Sequence, residues 1–109
     1  MKQYTAPEQT AQLIELGFEK PSSIASVEPL YGMGGISVAK SYSVGELIEM
    51  LPGNSSKHIR YVATKRAWVV DVDVLGKSGC AKCYRGAYHA ELVDALYDVI
   101  VKLKAEGVI

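Results

Sequence analysis

The sequence predicts a two-layer α+β domain: an antiparallel sheet of two hairpins with helices packed on one face, in the order αββαββα. Three observations lead there. Ala67 to Leu75 alternates as a half-buried strand does, with Trp68, Val70, Val72 and Val74 on a wholly apolar face and Asp71 and Asp73 on the other. The residues after it carry Tyr88, Leu92, Ala95, Leu96, Val99, Ile100 and Leu103 at helical spacings of three and four, a cover for that apolar face. Two earlier segments open with helix-capping patterns, each followed by a pair of strand-like runs.

The first helix starts at Thr5-Ala6-Pro7-Glu8, with Thr5 as N-cap, Pro7 in the first turn and Glu8 completing a capping box. It runs through Leu13, Ile14 and Leu16 and stops at Gly17, where Phe18 can pack back on Leu13. Ile24 to Tyr31 and Ile36 to Tyr42 form a hairpin joined at Gly32-Met33-Gly34-Gly35, and Pro29 marks the first of them as an edge. Ser43 and Glu46 make the second capping box, with Tyr42 stapled onto Leu47, and that helix ends at Pro52-Gly53.

Lys57 to Thr64 alternates with Ile59, Tyr61 and Ala63 facing one way, and a turn at Lys65-Arg66 leads into the Ala67 strand. The closing helix spans Ala87 to Glu106. Lys102 and Lys104 suit its C-terminal dipole, and Gly107 supplies the left-handed residue that ends it.

A chain of 109 residues is one domain, 1–109, able to build a core without metal or disulfide staples. Hydrophobic residues at 49% against 22% charged place it among globular rather than disordered chains. No apolar run is long enough to span a bilayer and no leader pattern opens the sequence, so cytoplasm is the expected compartment and no membrane partner is expected. Twelve basic and twelve acidic residues balance to zero. Lys57, Arg60, Lys65 and Arg66 could form a local basic face, but the overall neutrality argues against nucleic acid as the partner.

Gly79-Cys80-Ala81-Lys82-Cys83 is the one chemically suggestive motif. A strand, a CxxC loop and a helix form the local context of a thioredoxin-like redox site, where a helix start and Lys82 would lower a thiol pKa. That fold needs a cis-proline loop and further strands after the helix, and no proline follows Pro52. Zinc is the second reading: two thiolates are half of a tetrahedral set, completed by His89, by His58 or by the cysteines of a second copy. The metal set so predicted is Cys80, Cys83 and His89. The third reading, two free thiols with no cofactor, makes the fewest demands.

Asp71 and Asp73 share a strand face at the spacing of paired carboxylates, but the simpler expectation is a solvated face whose charges meet Arg60 or Lys65 across the hairpin. The glycine loop lacks the Lys-Ser/Thr pair of a phosphate loop and leads into a strand. No catalytic triad can be built on His58 or His89 from spacing.

Three stretches resemble uncharacterised small proteins of Bacteroides-type bacteria and their mobile elements: Glu8 to Phe18, the Tyr42 to Pro52 helix unit, and the Tyr88 to Leu96 helix. The resemblance implies a similar succession of helices and hairpins and no particular activity. Taken together, the expectation is a small cytoplasmic binding module, non-enzymatic and homodimeric. The alternative is a zinc-binding or thiol-redox protein acting through Cys80 and Cys83.

Overall fold

The computed structural model describes residues 3–29, 36–52, 55–75 and 81–109, with 25–29, 36–39 and 81 described by backbone alone. The elements are α1 (Pro7–Glu15), β1 (Ile24–Pro29), β2 (Ile36–Lys40), α2 (Val44–Met50), β3 (Ser55–Val62), β4 (Ala67–Leu75), β5 (Ala81–Arg85) and α3 (Leu92–Ala105). The class is α+β as expected, but the order is αββαβββα. The strands make two antiparallel sheets, β1–β2 and β3–β4–β5, rather than one sheet of two hairpins.

Strand β4 begins and ends where its alternation places it, and β3 pairs with all but its last residue, from Ser55 opposite Val74 to Val62 opposite Ala67. Its apolar face meets α3. Val70 and Val72 are fully buried with Leu96, Val99, Ile100 and Leu103, while Leu13 from α1, Leu47 from α2 and Leu51 at the C-cap of α2 complete the same core. Trp68 and Val74 lie at the two ends of that face and are only partly buried. The helices therefore cover one face of the three-stranded sheet, as the one-sided pattern of β4 requires.

Strand β5 forms where the sequence pattern predicts a loop. It pairs with β4 from Leu75 opposite Ala81 to Asp71 opposite Arg85, and its Tyr84 joins the core. Beyond Arg85 the chain continues along β4 instead of entering a helix. Gly86 N–H donates to the Val70 carbonyl at 3.0 Å, and Trp68 and His89 exchange backbone bonds at 2.6 and 3.0 Å. Arg85 faces Asp71 and His89 faces Trp68, so this side gains one residue over β4, the mark of a bulge. These bonds hold the backbone of residues 86–89 extended, and α3 starts at Leu92 with Glu91 as its N-cap rather than at Ala87. Tyr88, counted in the apolar stripe, is instead half-exposed.

The first helix starts one residue later than its sequence suggests. Its N-cap is Ala6, whose N–H donates to the Gln9 side chain at 2.9 Å. Thr5 is engaged elsewhere: its hydroxyl bonds Thr10 at 2.6 Å and accepts the Tyr42 N–H at 3.1 Å. The remaining caps form as expected. Ser43 and Glu46 bond reciprocally, with Tyr42 and Leu47 both buried beside them. Gly17 and Gly107 take positive φ of 100° and 76°, and Phe18 N–H and Val108 N–H reach back to the Leu13 and Leu103 carbonyls.

The β1–β2 hairpin is antiparallel as expected, while its glycine loop, residues 32–35, lies outside the described residues. Ser41 N–H to Ser23 carbonyl at 3.0 Å closes its base.

Candidate functional site

The second face of the β3–β4–β5 sheet carries the polar residues. Strand alternation sends Asp71 and Asp73 to the side opposite the helices, with His58 and Arg85 directly across from Asp71 and Cys83 across from Asp73. Asp71 is held between two arginines from the two neighbouring strands. Its Oδ2 accepts from Arg60 Nη2 at 3.2 Å, and its Oδ1 stands 3.6 Å from Arg85 Nε. The expectation that Arg60 meets these carboxylates holds; Lys65 does not reach them and lies over the Tyr88 ring, 4.7 Å from its centroid.

The face is less solvated than its sequence suggests, since Asp71 is only 6% exposed. Arginine stems can lie flat across a strand while their heads stay wet, which fits the exposed side chains of Arg60 and Arg85 on either side of it. Oδ1 of Asp71 is buried and accepts no hydrogen bond among the described residues.

Asp73 sits between His58 and Cys83. His58 Nε2 is 3.4 Å from Asp73 Oδ2. The hydrogen bond from the Cys83 thiol to Asp73, helped by desolvation and by the charges of Asp73 and Asp71, pushes the thiol pKa up; Arg85 opposes this and is outweighed. A nucleophilic cysteine needs a cation or a base beside it. Here the order is Cys–Asp–His, which sets the acid against the sulfur and favours the thiol over the thiolate.

The predicted zinc set is not gathered by the fold. Cys83 lies on strand β5, not in a loop, and is exposed. His89 lies before α3 rather than on it, and its Nε2 turns toward the helix face, 3.6 Å from Asp98 Oδ2. Cys83 faces Asp73 and His89 faces Trp68, five residues apart along β4 or about 17 Å. The two side chains also sit on opposite faces of the sheet, so they cannot share one metal ion. Cys80 lies outside the described residues. Among the described residues, no group of three His, Cys, Asp or Glu side chains is placed to hold a metal.

Where β3 turns into β4, the same sheet ends in a cluster of rings and cations. Tyr61 and Trp68 pack with centroids 5.2 Å apart and planes tilted by 55°, and Lys65 lies over Tyr88. Tyr61 is 53% exposed and Tyr88 50%. Sequence reasoning missed Arg85 and Tyr88 as members of these groups, because both depend on the unrecognised strand β5 and its bulge.

A separate cleft of about 370 Å³ lies where the chain after α1 meets α2, lined by Phe18, Glu19, Lys20, Tyr42, Glu46 and Met50 among others. Two of its polar groups, Tyr42 and Glu46, are engaged by the fold. The Tyr42 hydroxyl donates to the Glu19 carbonyl, and burial, then the charge of Glu46, pushes its pKa up. Glu46 accepts from Ser22 N–H, Ser23 Oγ and Ser43 N–H.

No helix among the described residues is long and apolar enough to cross a membrane. Comparison with protein-family models, with curated proteins and with solved structures finds no match to this chain.

Proposed function

We propose that the chain is a cytoplasmic, non-enzymatic interaction module that binds another protein through the ring-and-cation end of its three-stranded sheet, and that it self-associates as a homodimer. The observation that carries the reading is the placement of Tyr61 and Tyr88. Two tyrosines are half-exposed beside Trp68 and Lys65, whereas the apolar stripe of α3 from Leu92 to Leu103 is buried. Tyrosine and tryptophan with a neighbouring cation are the residues that contribute most where proteins meet. The polar side chains on the adjoining face pair with one another, Asp71 with two arginines and Asp73 with His58 and Cys83, which suits a scaffold more than an acid–base centre. The homodimer draws its support from β1–β2, a two-stranded sheet with both outer edges unpaired by any other described strand.

A photo-crosslinking amino acid placed at Tyr61 or Tyr88 tests the module in extracts of the source cells. Discrete adducts from both positions and none from Glu15, an exposed position on α1, are expected. Adducts equally strong from Glu15, or none from either tyrosine, would remove the reading. Sedimentation equilibrium at micromolar concentration tests the dimer, and monomer mass throughout would remove that part alone.

A further inference from the structure

The basic residues that composition alone could not assign lie together along one sheet edge. Residues 55–66 hold four of the chain's twelve Lys and Arg and no Asp or Glu, leaving eight against twelve acidic residues elsewhere. Twelve consecutive residues of a neutral chain thus carry a concentrated positive charge. They form β3 and the turn after it, and β3 is the outer strand of its sheet, paired with β4 on one side and with no described strand on the other. An outer antiparallel strand leaves alternate N–H and C=O groups without a ladder partner, and such an edge can accept a further strand.

We propose that the outer edge of β3 takes an extended, acidic segment of a partner protein as an added strand, its polar backbone completing the sheet and its carboxylates meeting Lys57, His58, Arg60 and Lys65. The proposal rests on the interaction-module reading and names the partner's chemistry. Strand alternation sends Lys57 to the helix side, opposite Val72, and His58 and Arg60 to the open side. A peptide strand has the same alternation, so acidic residues at successive positions can meet both sets. At the far end the half-exposed Tyr61, braced by Trp68, gives an apolar side chain a surface to cover.

Two other occupants fit this edge less well. A second copy's β3 carries Lys57 and Arg60 and no acidic residue, so pairing two copies of this edge would bring cations together with no carboxylate to meet them, and like charges oppose pairing. A nucleic acid has no alternating backbone donors and acceptors to match the edge, and it would find the cations divided between two faces.

The test is an NMR titration of the labelled protein with a capped eight-residue peptide of glutamate pairs separated by single valines, which places carboxylates on both faces of the added strand. Saturable shifts along Ser55 to Val62 are expected. The lysine–valine counterpart should bind at least about tenfold more weakly, since electrostatic complementarity discriminates between partners of opposite charge. A glutamate–valine peptide interrupted by a central proline should lose binding, because it lacks a strand donor. The Lys57→Glu/Lys65→Glu variant, which leaves the Asp71–Arg60 pair intact and should fold normally, is expected to reverse the preference between the two charged peptides. Three results would overturn the proposal: no saturable shifts on β3, equal binding of both charged peptides, or stronger shifts of the same amides by octadeoxythymidine. Failure here with crosslinking intact at Tyr61 would overturn strand addition and leave the module standing.

Discussion

Gly86→Ala should destabilise the protein by about 2 kcal/mol, and the figure follows from what an added methyl would meet. A Cβ built on Gly86 lies 2.7 Å from Val99 Cγ2 and 2.9 Å from the Val70 carbonyl oxygen. The first contact can be relieved by moving a valine that is itself fully buried in α3. The second involves backbone, because the Val70 carbonyl accepts the Gly86 N–H at 3.0 Å and sits in the central strand. Overpacking of this kind costs about 1–3 kcal/mol, and weakening the hydrogen bond adds about 1. Burial of one methyl returns roughly 0.8 kcal/mol, and the stiffer unfolded chain a few tenths, leaving a net loss of about 2. The internal comparison is Gly45→Ala, where a Cβ meets only Ser43 Oγ at 3.9 Å inside α2 and alanine should stabilise by roughly 0.5–1 kcal/mol. Urea melts followed by circular dichroism read both values, and for this size the Gly86 variant should melt on the order of 8 °C lower. A Gly86→Ala protein as stable as the parent would show that residues 86–89 do not run tight against β4 and α3.

Further outcomes concern the polar groups. Asp71→Ala should cost roughly 1–3 kcal/mol, since it leaves Arg60 and Arg85 facing each other without their shared acid; a change within about half a kcal/mol in a urea melt would make that cluster a bystander. In a Cys80→Ser background, Cys83 should alkylate more slowly than a free cysteine at pH 8, and Asp73→Asn should speed it, because Asp73 is the main cause of the raised thiol pKa. Equal rates before and after the change would contradict the hydrogen bond to Asp73. Burial raises the Glu46 carboxyl, but bonds from Ser23, Ser22 and Ser43 outweigh it and leave the pKa below its ordinary 4.5. A carboxylate with a depressed folded pKa stabilises above its unfolded value, and that contribution fades as pH falls through the folded one. Glu46→Gln should therefore be less stable than the parent at pH 7, with the gap closing below about pH 4.5. A gap constant down to pH 3 would contradict this.

What was legible in the sequence was whatever local chemistry determines. The alternation of Ala67 to Leu75 specified both ends of β4, and the glycines at 17 and 107 marked the ends of α1 and α3 through their positive φ. The Ser43–Glu46 box formed as its spacing required. Less was legible where a distant partner decides. Among the described side chains of Ala81 to Arg85 one apolar group is buried, Tyr84, and the segment becomes a strand because β4 has a free side to pair with. Tyr88 sits at helical spacing from Leu92, yet backbone bonds to Trp68 hold the chain extended beside it. Thr5 has the composition of an N-cap, but Thr10 and Tyr42 compete for its hydroxyl. The site suffered from the same cause. Burial of Asp71 needs an arginine from each side, and one of them stands on the strand that was not foreseen. The separation of Cys83 from His89 follows from that strand and its bulge, because a loop running straight into a helix would have kept them near each other.

Strand addition requires an open outer edge on β3, and amide hydrogen exchange of the dilute free protein reads it. Along Ser55 to Val62, amides bonded into the ladder with β4 should exchange slowly and those pointing outward should exchange fast, an alternation with a period of two residues. Uniformly slow exchange along the whole strand would mean that the outer edge is already covered, and would contradict its use as a docking edge.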